Sequence, residues 1–245
     1  MKMLLTFFVL LFSQFSWSIP ELNYASEFNA RVIPFYNKSP SRYLKNSQGI
    51  KLHFKSFRRS DSRKTIVCLP GRTDAVARNA ETLYDLYQKG FSVYMMDEQG
   101  QGQSGRMLAD ASKGHVRKFQ DYVNDLDLFL KRVVSRESQN QELFFLGHSM
   151  GAAIGTLYDH QHPGVFSKLA LAAPMFEIRT GGEFRYNITF KFVRFAVNHG
   201  LGNNYFPGSG PFNLKHYKFS DNIYTHSLAR FNNSIEIFNG LRPSL

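Results

Sequence analysis

The chain has 245 residues and is 43% hydrophobic, enough for one sizeable core in a single domain with an insertion. A net charge of +11 and a pI near 9.7 favour anionic partners such as acidic phospholipid headgroups, but there is no Lys/Arg-rich block or aromatic-interleaved basic motif, which sets a nucleic-acid role aside. The single cysteine, Cys68, excludes an internal disulfide framework.

Residues 1–18 read as a signal peptide: Lys2 is positive, residues 3–12 are apolar, and Ser16-Trp17-Ser18 puts small residues at the two cleavage-determining positions. Cleavage after Ser18 and export to the periplasm or the medium are expected, with an uncleaved anchor as the alternative. The apolar run is too short to span a bilayer. Residues 21–47 are polar and read as irregular, followed by a half-buried strand over 50–57 in which Ile, Leu and Phe alternate with polar side chains. A charged connection over 58–64 leads to a continuous apolar strand over 65–69, which contains Cys68 as a buried, inert thiol and stops at Pro70-Gly71. A helix over 79–89 and a strand over 91–96 ending at Asp97 complete a strand-helix-strand crossover.

The run from Gly100 to Gly105 satisfies G-x-G-x-x-G after a strand. Residues 106–114 nevertheless lack the apolar period of a helix that would meet a pyrophosphate, so the run reads as a tight glycine loop, and no cofactor or metal is expected. A helix over 119–134 places Tyr122, Val123, Leu126, Phe129, Leu130 and Val133 on one face. It leads into residues 142–161, the stretch around which the chain is organised. Leu143 to Leu146 form an unbroken apolar strand, Gly147-His148-Ser149-Met150-Gly151 matches G-x-S-x-G, and a helix with small residues follows. A nucleophile on so sharp a turn needs small residues two positions before and after it. Ser149 is therefore the candidate nucleophile, and the backbone N–H of Met150, at the helix start, is an oxyanion donor.

A short strand over 168–172 ends at Ala173-Pro174. From Met175 onward aromatics and Gly-Pro breaks dominate, and the segment 176–245 reads as a helical and loopy cap on a core spanning 19–175. Its aromatics fit either the cap's own core or an acyl-chain pocket.

Together, Leu69-Pro70-Gly71-Arg72, Asp97 through Gly105-Arg106, Gly114-His115-Val116, Gly147 to Gly151, His162-Pro163-Gly164 and Ala173-Pro174-Met175-Phe176 resemble the serine α/β-hydrolases of the lysophospholipase L2 and monoacylglycerol lipase group. The resemblance implies an α/β-hydrolase fold, mostly parallel and flanked by helices, and a second oxyanion N–H at Arg72 by position. Gln99 departs from the group's usual arginine. The group also places a triad Asp or Glu and then His after the nucleophile, and no strand after 172 is found to carry them. Asp221 and His226 are the substitutes on offer, though close in sequence, and the chain reads as truncated.

The resemblance implies an exported serine esterase that acts on a single-chain lipid ester, lysophospholipid or monoacylglycerol, with contact to an anionic membrane surface. The competing reading is a truncated, non-catalytic lipid-binding form.

Overall fold

The computed structural model describes residues 19–138, 142–177, 183–205, 210–211, 217–222 and 225–240. The expected signal peptide lies outside these residues.

Six strands form one sheet: β1 (Arg42–Lys45), β2 (Lys51–Phe57), β3 (Lys64–Leu69), β4 (Ser92–Met96), β5 (Glu142–His148) and β6 (Lys168–Ala172). Their order is β1-β2-β4-β3-β5-β6, with β1, β2 and β4 joined antiparallel and the remaining pairs parallel. The registers bring Leu69 level with Gly147, and His148 level with Ala172. The carboxyl ends of β3, β5 and β6 therefore open at one rim, where ligands sit on such sheets.

The sheet has a core on each face, which explains the unbroken apolar run of β5. Successive side chains point to opposite faces, so Phe145 enters one cluster while Phe144 and Leu146 pack on the other. The first cluster is covered by α2 (Phe119–Phe129), which continues through a wider turn at Leu130–Val134, and by α3 (Met150–Gln161). Gly155 belongs to this packing, since a Cβ there would lie 2.0 Å from the Phe145 ring. The second cluster is covered by α1 (Ala80–Gln88) and an N-terminal helical stretch.

That stretch corrects the irregular reading of 21–47. Residues Tyr24–Glu27, Phe28–Val32 and Ile33–Lys38 are successive helical turns, and β1 follows. Tyr24, Phe28, Val32 and Phe35 recur at intervals of four and three and are buried together, a helical stripe hidden among polar neighbours. The stretch also covers the face of β2 that alternation assigned to solvent. Lys55 is buried, donates to the carbonyls of Ser39 and Tyr36, and lies 4.2 Å over the Tyr36 ring, and its burial lowers its pKa.

On the far side β6 is an edge of the described sheet, with Leu171 37% exposed. α4 (Glu183–Asn198) carries exposed Ile188, Phe190, Phe195 and Val197. α5 (Leu228–Gly240) returns to the N-terminal stretch: Arg230 meets Glu81 with two nitrogens at 3.1 and 2.7 Å, meets Glu21 at 3.0 Å, and donates to the Ile19 carbonyl. No helix among the described residues is long and apolar enough to cross a membrane.

Candidate active site

Ser149 stands between the last residue of β5 and the first of α3, with φ 49° and ψ −112°. An L-residue avoids this region, so the conformation must be imposed by its surroundings. Its N–H donates to the Ala172 carbonyl at 2.9 Å, and its own carbonyl accepts from Met175 at 3.1 Å and Ala153 at 3.2 Å. The neighbouring glycines permit the closeness of the turn. A Cβ on Gly147 would lie 2.5 Å from Ala152 Cα, and one on Gly151 would lie 2.4 Å from the Leu69 carbonyl oxygen.

The loop after β3 lies directly against this elbow: a Cβ on Gly71 would stand 3.2 Å from Ser149 Cβ and 3.0 Å from His148 Nδ1. Arg72 follows with its side chain exposed, so its contribution here is its backbone N–H. Neither that N–H nor the Met150 N–H, at the positive end of α3, has a partner among the described residues. Two unpaired donors flanking a half-buried serine are the elements of an oxyanion site.

Strain gathers at the same rim. Among the described residues three non-glycine residues have positive φ, namely Thr73 at 57°, Ser149 and Ala173 at 44°, and they follow β3, β5 and β6 respectively. Thr73 is held in place by its N–H donating to Oε1 of Gln101, whose Nε2 reaches Glu98 Oε2 at 3.3 Å. Burial, reinforced by Asp97, Asp74 and Asp125, pushes the Glu98 carboxyl well above the usual range. The Gln101 support escaped the sequence reading, whose only signal was its place in the glycine loop.

Asp97 organises that loop. One oxygen accepts from the Val76 N–H at 2.7 Å, and the other accepts from the Gln103 N–H at 2.9 Å and faces His53 Nδ1 at 2.7 Å. A Cβ on Gly102, where φ is +47°, would stand 2.2 Å from the Asp97 carboxyl carbon. The glycines thus let backbone wrap a carboxylate, in keeping with the tight-loop reading. Arg106 closes the loop by donating to the carbonyls of Gln101, Gly102, Ser104 and Ala111. Gln99, the departure from the resemblance, donates to Asp125 Oδ2 at 2.9 Å, while Asn46 donates to Oδ1 at 3.0 Å. An anchor between loop, α2 and the β1–β2 turn is therefore present.

The structure does not bring Asp221 and His226 together by a hydrogen bond, nor either of them to Ser149. Both are exposed, and the Asp221 carboxylate takes the Ser220 hydroxyl at 2.9 Å. His148 and His115 are likewise unbonded to Ser149. Among the described residues no cluster of His, Cys, Asp and Glu suits a metal ion. Cys68 is buried, and its burial pushes the thiol up to about 12.

A mostly parallel sheet with helices on both faces and a serine on a strained strand-to-helix elbow defines an α/β-hydrolase fold. The chain belongs to the hydrolase family described as serine aminopeptidase, S33, whose family model matches residues 60–230. It is 32% identical over 226 residues to lysophospholipase L2 of Escherichia coli K12, covering 92% of this chain and 65% of that protein. It is also 27% identical over 208 residues to the probable lysophospholipase L2 of Haemophilus influenzae, covering 84% of this chain and 64% of that protein. The chain thus spans just under two thirds of the length of these relatives. Among solved structures, a soluble variant of monoglyceride lipase from Saccharomyces cerevisiae in complex with a substrate analog superposes with a TM-score of 0.54 at 18% identity, covering 65% of this chain and 53% of that one.

Proposed function

We propose that Ser149 is the nucleophile of a serine hydrolase that cleaves the carboxylic ester of lysophospholipids or monoacylglycerols. The observation that carries this reading is the juxtaposition at the elbow: a serine at φ 49° with the Gly71 backbone against its Cβ and the unpaired N–H groups of Met150 and Arg72 beside it. In this reading Ser149 Oγ bonds to the ester carbonyl carbon, the two N–H groups hold the developing oxyanion, and the glycerol-bearing alcohol departs to leave an acyl-enzyme that water then cleaves. The lysophospholipase names of the bacterial relatives support a single-chain lipid ester as substrate. The exposed Ile188, Phe190, Phe195 and Val197 of α4, on a chain of net charge +11, support contact with an anionic membrane surface through the segment 176–245 acting as a cap. Residues 1–18 support export.

A second reading, lipid binding without turnover, is favoured by one observation: among the described residues no imidazole or carboxylate is bonded to the Ser149 hydroxyl. A fluorophosphonate probe separates the two, because phosphonylation needs an activated serine. The expected result is an adduct on the peptide carrying Ser149 and hydrolysis of a monoacyl ester that falls more than about a thousandfold in Ser149→Ala. Unchanged turnover in that variant overturns the nucleophile, and an unlabelled Ser149 peptide with retained lipid binding establishes the second reading.

A further inference from the structure

Along the same rim, toward the β1 edge of the sheet, lies an arrangement that the elbow does not require. His53 of β2 is 1% exposed, and its Nδ1 stands 2.7 Å from Asp97 Oδ2. Its Nε2 stands 3.1 Å from Oγ of Ser41, which is exposed just before β1. With the Asp97 carboxylate as acceptor Nδ1 carries a ring proton, and in the neutral ring Nε2 then offers its lone pair to the Ser41 hydroxyl. Serine hydroxyl, imidazole and buried carboxylate therefore stand in the order and spacing of a general-base relay. The Tyr43 ring lies 5.4 Å from the His53 ring and covers it.

A purely structural role accounts for half of this. Asp97 must be held to fix the glycine loop, and His53 Nδ1 contributes to holding it. Nothing in that role calls for Nε2 to be aimed at a solvent-facing hydroxyl. We propose that Ser41, activated by His53 and Asp97, is a second nucleophile, an acyl- or phosphonyl-accepting site separate from Ser149. β1 and β5 are four places apart in the sheet, roughly 19 Å at about 4.8 Å per strand, so the two serines share no pocket. With an activated ester, Ser41 Oγ bonds to the carbonyl carbon as its proton passes to His53 Nε2. The bond from carbonyl carbon to leaving oxygen then breaks, and the departing alkoxide takes that proton. With a fluorophosphonate the new bond is to phosphorus, and fluoride leaves with the electron pair. Asp97 steadies the imidazolium in between.

The test uses the 245-residue chain carrying Ser149→Ala, treated with a fluorophosphonate and mapped by peptide mass spectrometry. An adduct on Ser41 that falls at least about tenfold in His53→Gln is the expected result. No adduct on Ser41, or labelling indifferent to His53→Gln in a folded variant, overturns the proposal. Because His53 is buried and its replacement can unfold the chain, a second measurement leaves the core intact. Ser41→Cys is expected to alkylate with iodoacetamide at pH 6 at least about tenfold faster than Ser60→Cys, an exposed control, because a neighbouring imidazole draws out the thiolate. Equal rates at the two positions overturn the relay.

Discussion

At the scale of residues, the candidate site and backbone strain coincide. Thr73, Ser149 and Ala173 each hold positive φ just beyond a strand, and hydrogen bonds to neighbouring groups hold Thr73 and Ser149 there. The glycine loop is as tightly set. Gly102→Ala forces a Cβ to within 2.2 Å of a carboxyl carbon that is itself pinned by two backbone donors and His53, so it should cost at least about 2 kcal/mol in urea unfolding, with the loop anchoring lost. In the proposed reading Arg72 acts through its main chain. Arg72→Lys should leave turnover nearly unchanged, whereas Arg72→Pro removes the N–H and should lower kcat by about a hundred- to a thousandfold with KM little altered. Normal kcat in the proline variant counts against Arg72 as a donor.

Among the elements, those set by hydrophobic period were legible and those set by distant partners were not. Strands β3 to β6 and helices α1 to α3 appear within a residue or two of where apolar runs, glycines and prolines place them. The elbow was legible because its glycines stand at fixed positions around the serine, Gly147 against Ala152 in the next helix and Gly151 against the end of β3. The N-terminal helical stretch was missed because Tyr24, Phe28, Val32 and Phe35 are apolar islands among polar residues whose value shows only when β2 and α1 lie beneath them. Gln101 and Glu98 were missed for the same reason. Asp125 belongs with these buried polar joints, linking α2 to Asn46 and Gln99, and burial raises its pKa from 3.8 to about 7. The folded chain therefore keeps a proton there that the unfolded chain has lost, and this group's contribution to stability falls as pH rises from about 4 to about 7. Urea midpoints measured across that range should decline with pH, and the decline should flatten in Asp125→Asn. An identical slope in both chains removes Asp125 as the cause.

At the scale of the molecule, the two edges of the described sheet differ. β1 carries Arg42, which meets Glu137 at 2.6 Å, whereas β6 presents an exposed Leu171, followed in sequence by Phe176, 65% exposed. An apolar strand with one side unpaired recruits other chains. Light scattering should report association that grows with concentration, and Leu171→Lys, which puts a charge on that edge strand, should reduce it; no change would locate the association elsewhere. The Arg230 clasp carries a different consequence, one of timing. It joins residues 209 positions apart in sequence, Glu21 near the start of the described chain and Arg230 in α5. At about 5–20 residues added per second, a ribosome needs roughly 10–40 s between making the first and the second. Through that interval the N-terminal helical stretch can settle on β2, β3, β4 and α1, all complete by Met96, but not on α5. The clasp therefore cannot close until synthesis has reached α5, so it comes last among the contacts of the N-terminal stretch.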